Sequence, residues 1–168
     1  EGVLTGHTAD DQAETILMNL LRGTGLNGLR GMATVTLSNK PHNLPGIALL
    51  RPLLEVTRDE TEAYCRAQGL CPRQDETNLS TNFTRNRLRH ELLPILQQYN
   101  PSIKEALRRL SSSAIQDVAY LEENVDRIWA SLTSTIKEPK GLTINKKAFS
   151  SLDPAIQHHL LRRAVSQV

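Results

Sequence analysis

A run of apolar residues that recur every three or four positions constrains the fold of this 168-residue chain more than any other feature. The run extends from residue 103 to residue 136, which predicts one helix of about 35 residues, or ~50 Å at 1.5 Å per residue. Its members are Ile103, Leu107, Leu110, Ala114, Val118, Leu121, Val125, Ile128, Leu132 and Ile136. A helix with a single apolar stripe needs a surface to pack against. We therefore expect this helix to lie along another body.

The first half of the chain has the pattern of an α/β protein. Val3–Thr5 is predicted to be the end of a buried strand, and an amphipathic helix follows at once, with Thr8 as its N-cap and Asp11 in the capping-box position. A strand that runs directly into such a helix is the front half of an α/β unit. We therefore expect an α/β domain over residues 1–95 and an all-helical region with one long helix over residues 96–168.

Three shorter segments complete the predicted order of elements. Residues 33–46 are expected to form an irregular or hairpin connection before a strand at residues 47–51. A capping box at residues 57–60 opens a second helix. A third helix begins near Thr84 and is expected to be interrupted by Pro94, because proline has no N–H to donate.

Composition excludes several classes of protein. With 39% hydrophobic and 23% charged residues, the chain has the composition of a globular domain. Its apolar runs are far shorter than the ~18 residues of a membrane span. Cys65 and Cys71 are six positions apart, a spacing that fits neither a CxxC metal site nor a disulfide framework. Two unpaired thiols favour a reducing, cytoplasmic location.

Charge is distributed unevenly along the chain. The net charge is −3 over residues 1–82 and +5 over residues 83–168. A basic second half is compatible with a phosphate-backbone partner, although an excess of this size is also ordinary for a protein surface. The chain begins without Met and ends inside a predicted helix, so we interpret it as part of a longer protein.

The strand–helix junction GHTADDQAET at residues 6–15 is the most informative segment. It brings His7, Asp10, Asp11 and Glu14 within one and a half helical turns. Acidic residues at this position complement the helix dipole, which explains two of them. However, Asp10 shares the apolar stripe and Glu14 lies at its edge. Carboxylates that face inward at the carboxyl end of a strand lie where α/β proteins bind ligands, and they can bind Mg²⁺, an ammonium ion or a proton.

Two further segments carry arginine residues. GTGLNG at residues 23–28 matches GxGxxG, but it follows a helix and not a strand, so it is not a dinucleotide fingerprint. Arg22 and Arg30 flank it and could reach a phosphate, but for each arginine by itself an ordinary exposed surface position is the favoured explanation. Arg85 and Arg89 are four positions apart and share a helix face, where they can clamp a phosphate or a carboxylate or form an ordinary solvated basic surface.

Together these segments resemble the tRNA(Ile)-lysidine synthetase family, which has the Rossmann-like N-type ATP pyrophosphatase fold. The resemblance covers about residues 3–96 and rests on five motifs: TGHTADDQAET at 5–15, the following LMNLLRGTGLNGLRGM, RPL at 51–53, DETN at 75–78, and RNRLRHELLP at 85–94. Residues 96–168 are similar to the helical substrate-binding region of that family. The family's SGGxDS phosphate loop does not occur in these 168 residues. The resemblance therefore implies one part of an enzyme, which is inactive on its own.

The resemblance implies an ATP-dependent carbon–nitrogen ligase that uses Mg²⁺. ATP adenylates the C2 oxygen of the wobble cytidine in the CAU anticodon of tRNA(Ile), with release of pyrophosphate. The ε-amine of L-lysine then attacks C2, and AMP leaves. The residues implied to be catalytic are Asp11, Glu14, Arg85 and Arg89, with Asp11 also as a Mg²⁺ ligand. Those implied to bind substrate are His7, Asp10, Arg22, Asn78 and Asn86. A homodimer without membrane contact completes these expectations.

Two other interpretations stay open from the sequence. A tRNA thiolase of the same superfamily commonly carries paired CxxC cysteines, which Cys65 and Cys71 do not form. A non-catalytic RNA-binding helical module would rest mainly on residues 96–168. Aromatic residues make up only 4% of the chain, which leaves few side chains for base stacking and counts against simple binding of single strands.

Overall fold

The computed structural model describes residues 2–37, 47–73, 84–136 and 141–167. The chain forms two compact units, Glu1–Ile115 and Gln116–Val168. The functional domains that the sequence suggests, residues 1–95 and 96–168, remain a prediction. Within the described residues, every helix is too short or too polar to cross a membrane.

A three-stranded mixed sheet lies in the first unit and consists, in the order β1-β3-β2, of β1 (Gly2–Leu4), β2 (Val35–Leu37) and β3 (Ala48–Leu50). β1 is parallel to β3, with Val3 opposite Leu49, and β2 is antiparallel to β3. A parallel strand pair with a helix between its strands in sequence confirms the α/β class. The antiparallel pair agrees with the hairpin alternative for the connection.

The expected burial of β1 is wrong. Val3 is 51% exposed and Leu4 is 68% exposed. β1 lies at the edge of the sheet, where β3 is its neighbour on one side. The apolar character of the strand therefore predicted its conformation correctly but not its burial.

The helices of the first unit are α1 (Ala9–Leu21), α2 (Leu26–Leu29), α3 (Arg58–Ala67), α4 (Thr84–Arg87), α5 (Leu93–Tyr99) and the first part of α6 (Ile103–Leu132). The buried core of this unit consists of Ala13, Ile16 and Leu17 of α1, Leu88 directly after α4, Leu93 of α5 and Leu107 of α6. Full burial of one Leu or Ile side chain stabilises a fold by about 1.5–3 kcal/mol, so this core holds α1 firmly. Leu20 and Leu21, in the last turn of α1, are by contrast 47% and 61% exposed.

A π-helical turn at Leu88–Leu92 joins α4 to α5. The N–H of Leu93 donates to the carbonyl of Leu88, five residues back, and Pro94 follows immediately. The predicted interruption at Pro94 is therefore present as a widened turn and not as a break. A wider turn is compatible with a residue that cannot donate a hydrogen bond and whose ring crowds the preceding turn.

The elements of the second unit are the remainder of α6, β4 (Thr133–Ile136), β5 (Gly141–Ile144), α7 (Lys146–Ser150) and α8 (Pro154–Gln167). Val125, Leu132 and Leu160 form its buried core. β4 and β5 are antiparallel, so the prediction of an all-helical region is wrong, and the long helix ends at Leu132 instead of continuing to residue 136. The β-branched residues after Leu132 favour extended backbone, and pairing satisfies the backbone groups that β4 and β5 direct toward each other.

Candidate functional site

Asp11 is held in place by the N-terminus of its own helix. Its Oδ2 accepts hydrogen bonds from the N–H and the hydroxyl of Thr8, at 2.8 and 2.9 Å. The hydroxyl of Thr15 donates to the backbone carbonyl of Asp11 at 2.8 Å. These contacts confirm the predicted pairing of Thr8 with Asp11 and satisfy a backbone donor at the helix start. They also leave Oδ1 of Asp11 directed to other partners.

Glu14 is the most deeply buried acidic residue that the structure describes, with 1% of its surface exposed. Its Oε1 accepts a hydrogen bond from Nε of Arg89 at 2.6 Å. Its Oε2 accepts from Nη2 of Arg89 at 2.9 Å and from Nε of Arg85 at 3.0 Å. Arg89 thus contacts both carboxylate oxygens through two donors, the strongest geometry for this kind of pair.

The same two arginines also contact Asp11. Nη2 of Arg89 donates to Oδ1 of Asp11 at 3.1 Å, and Nη2 of Arg85 lies 3.5 Å from that oxygen. Arg85 also donates to the backbone carbonyl of Asp11 at 3.2 Å and to the Thr15 hydroxyl at 3.4 Å. We call Asp11, Glu14, Arg85 and Arg89 the carboxylate–arginine cluster. It contains two carboxylates and two guanidinium groups. The structure brings together all four residues that the sequence suggested as catalytic.

The cluster keeps Arg89 charged. Hydrogen bonds to Glu14 raise the pKa of Arg89 against the opposing effect of burial, and the negative charges of Glu14, Asp11 and Asp10 raise it further. Arg85 is the more exposed of the two arginines: 35% of its side chain is exposed, compared with 17% for Arg89. The two arginines therefore differ in how readily each can leave its carboxylates.

Asp10 lies beside this cluster but has other partners. Its Oδ1 accepts from Nζ of Lys104, in the first turn of α6, at 2.6 Å, and its Oδ2 accepts from the N–H of Arg58, at the start of α3, at 2.7 Å. Burial acts to raise the pKa of Asp10, but the two hydrogen bonds and the charges of Lys104 and Arg58 outweigh it and lower the pKa. Asp10 thus connects α1 with α3 and α6.

The remaining predicted substrate-binding residues are placed less closely. Nδ1 of His7 lies 2.9 Å from the hydroxyl of Thr5 at the end of β1. Asn86 is buried next to Arg85. Arg22 is exposed at the far end of α1, eleven residues or ~16 Å along the helix from Asp11, so the structure does not bring it to the cluster. Asn78 lies outside the described residues.

The surroundings of Asp11 do not fit a metal site that the protein holds by itself. Both side-chain oxygens accept hydrogen bonds, and two guanidinium groups lie within 3.5 Å of Oδ1. Within the described part of the chain, no group of three His, Cys, Asp or Glu side chains is arranged to hold an ion. A cation that met these residues would need most of its ligands from elsewhere, as Mg²⁺ commonly does with substrate phosphates. Asp11 as a Mg²⁺ ligand remains a prediction that this geometry does not support.

Sequence reasoning missed two contacts around the site. Lys104 was assigned no role, although a cation in the first turn of a helix opposes the helix dipole and therefore signals a partner outside that helix. Gln12, within the acidic motif, is 7% exposed, and its Oε1 accepts from the N–H of Met32 at 2.8 Å. Its position between two acidic residues gave no local signal of that contact.

The chain is similar in sequence to proteins of a known family. Residues 1–96 match the family model of the PP-loop domain. The chain belongs to the PP-loop family. The matched range contains β1, α1 and both arginines of the cluster, so the whole carboxylate–arginine cluster lies within the PP-loop part of the chain.

Individual relatives extend the similarity to the PP-loop region and beyond. The chain is 40% identical over 166 residues to the tRNA(Ile)-lysidine synthase of Dehalococcoides mccartyi, covering 99% of this chain and 35% of that protein. It is 47% identical over 161 residues to that of Thermosynechococcus vestitus, covering 95% and 44%. It is 36% identical over 167 residues to that of Clostridioides difficile, covering 99% and 34%. The resemblance found from the motifs is confirmed, and the chain spans about a third to less than half of these relatives.

Proposed function

We propose that this chain is part of an enzyme that ligates L-lysine to C2 of the wobble cytidine in the CAU anticodon of tRNA(Ile). ATP adenylates the C2 oxygen and releases pyrophosphate, the lysine ε-amine attacks C2, and AMP leaves. The carboxylate–arginine cluster carries the proposal, because buried Glu14 and part-buried Asp11, in the helix that follows β1, can bind a cationic group in the place of Arg85. The relatives are named tRNA(Ile)-lysidine synthases, which supports tRNA(Ile) as the substrate and lysidine as the product. L-lysine as the second substrate and a cytoplasmic location belong to the same proposal.

In this proposal the acids of the cluster bind the lysine ammonium group. In the structure Arg85 occupies part of the position proposed for the ammonium group, through contacts of 3.0–3.5 Å with Glu14 and Asp11. It is also the more exposed of the two arginines. An anionic substrate group near Arg85 would draw its guanidinium away, and the ammonium would replace it beside Asp11 and Glu14. Arg89, held at 2.6–3.1 Å, would stay and fix the geometry of both acids. A released carboxylate is then placed to accept the proton that the attacking amine must lose.

Membership of the PP-loop family supports ATP as a substrate. The 168 residues of this chain do not contain the SGGxDS phosphate loop. Mg²⁺, when bound with the nucleotide, would neutralise phosphate charge during adenylation. We assign it to the phosphates and derive no step from Asp11 as its ligand. The 168-residue chain by itself is expected to be inactive.

The test is ATP-dependent incorporation of labelled lysine into a CAU-anticodon tRNA by the full-length protein. Asp11→Asn retains an oxygen that can accept from Thr8 but loses the negative charge. We expect kcat/KM for lysine to fall by at least about 100-fold, the usual size of a lost acid–base contribution. Asp59→Asn is the matched control, because Asp59 is an exposed acid in the first turn of α3.

Two results would contradict the proposal at different levels. A folded wild-type protein that incorporates no lysine would exclude the reaction itself. Near-normal activity of Asp11→Asn would exclude the acid from ammonium binding while leaving the reaction in place. Thermal unfolding of each variant separates both results from loss of the fold.

A further inference from the structure

A cleft of ≈ 640 Å³ opens in the first unit. The loop after α2, the residues before α3 and the first half of α6 line it. None of the four residues of the carboxylate–arginine cluster contributes to its lining. Its volume is in the range of ligand sites, about 300–1,000 Å³.

One wall of this cleft is fixed by buried hydrogen bonds. Oε1 of Gln12 accepts a hydrogen bond from the N–H of Met32 at 2.8 Å, and Nε2 of Gln12 donates to the Met32 carbonyl at 3.0 Å. The hydroxyl of Ser111, which is 3% exposed, donates to the carbonyl of Arg30 at 2.7 Å. Gly31 lies between them with a φ of +66°, a conformation that favours glycine. The wall is therefore held by α1 on one side and α6 on the other, before any ligand arrives.

The charged side chains of the cleft favour an anion. Arg30 lies on the loop wall, where its Nη1 donates to Oδ1 of Asn27 at 3.3 Å. Arg108 and Arg109 lie on α6, and the acids of the cleft are Glu55 and Glu105. Arg108 pairs with Glu55, whose side chain is 81% exposed. An ion pair that is so open to solvent adds little stability and exchanges readily for a stronger partner. Arginine donors on two walls suit the oxygens of a phosphate group.

The cleft does not offer a surface for base stacking. No aromatic side chain occurs among the lining residues that the structure describes. Protein contacts that position a nucleic acid without reading its sequence are made to phosphates and sugars, whereas base binding in single strands relies on aromatic platforms. Charge without aromatic residues therefore indicates backbone binding.

We propose that this cleft binds a backbone phosphodiester of the RNA substrate, between Arg30 on the loop wall and Arg109 on α6. The proposal rests on the proposed function only in taking RNA as the substrate. It gives the Gln12 contacts a role, because they fix the loop that presents Arg30. It also gives the first half of α6 a part in substrate binding, separate from the contact of Lys104 with Asp10.

The test measures binding of a fluorescent CAU-anticodon tRNA to the full-length protein by anisotropy, over a series of KCl concentrations. Arg109→Gln removes an exposed cation from the cleft, and Ser112→Glu adds a negative charge to its lining. We expect Kd to rise about fivefold for Arg109→Gln and more for Ser112→Glu. The slope of log K against log salt should fall by about 0.7–0.9, the value for one lost phosphate contact. Arg127→Gln is the control, an exposed arginine of α6 outside the cleft that pairs with Glu123.

Two outcomes would overturn the proposal. The first is wild-type Kd and wild-type salt slope in both cleft variants. The second is an unchanged tRNA Kd with a raised KM for ATP, which would make the cleft a small-anion site. Lysine incorporation by the wild-type protein is measured in parallel, so that failure of the ligase function is recognised separately from failure of the cleft to bind RNA.

Discussion

Glu14→Gln should destabilise the first unit by about 3 kcal/mol. Glu14 accepts three hydrogen bonds of 2.6, 2.9 and 3.0 Å from Arg89 and Arg85, and such charge-assisted bonds contribute about 1.5–3 kcal/mol each. Glutamine keeps one acceptor oxygen but turns an amide N–H₂ toward a guanidinium. Breaking a buried ion pair costs about 3–5 kcal/mol, and we take the lower end because 35% of the Arg85 side chain is exposed.

Native-state hydrogen exchange of the α1 amides in the full-length protein measures this loss as a lower free energy of opening. Glu91→Gln is the matched control, because Glu91 pairs with Arg87 four residues away on an exposed surface, with 49% and 64% of the side chains exposed. That variant should lose only about 0.3–0.5 kcal/mol. If Glu14→Gln lost less than about 1 kcal/mol, the buried cluster would not hold α1, and the reasoning would be refuted.

Two further predictions concern the wall of the cleft and the decrease in unfolding free energy at low pH. Gly31→Ala should lower the unfolding free energy, measured by urea denaturation, by about 2–3 kcal/mol, because φ of Gly31 is +66° and an added Cβ would lie 2.6 Å from Oε1 of Gln12. Gly6→Ala is the control: an added Cβ there meets no atom within 4 Å, so the unfolding free energy should change by less than about 0.5 kcal/mol. The pKa of Asp10 is lowered in the folded state, so its contribution to stability is present above its unfolded pKa of about 3.9 and is lost as the pH falls through the lower folded value. Asp10→Asn should therefore reduce the unfolding free energy at pH 7, and this loss should shrink as the pH falls below about 3.9; an equal loss at every pH would contradict this.

The local elements of the fold were predictable from the sequence because they depend on neighbours three or four residues apart. The capping pair of Thr8 and Asp11 begins α1, and the period of apolar residues along α6 follows the helical repeat. The same reasoning failed at Thr133–Ile136. There the apolar spacing continued the helical pattern, but a partner strand was available and β-branched residues favoured extended backbone.

The sequence by itself determined the PP-loop motifs, the α/β class of the first half and the four residues of the carboxylate–arginine cluster. Only the tertiary structure decided what those residues contact. Glu14 pairs with Arg89, which is 75 positions away in the sequence, and Asp10 pairs with Lys104, which is 94 positions away. The cleft likewise combines a loop after α2 with α6. Contacts of this kind depend on the path of the chain between the elements, and residue type and spacing hold no information about that path.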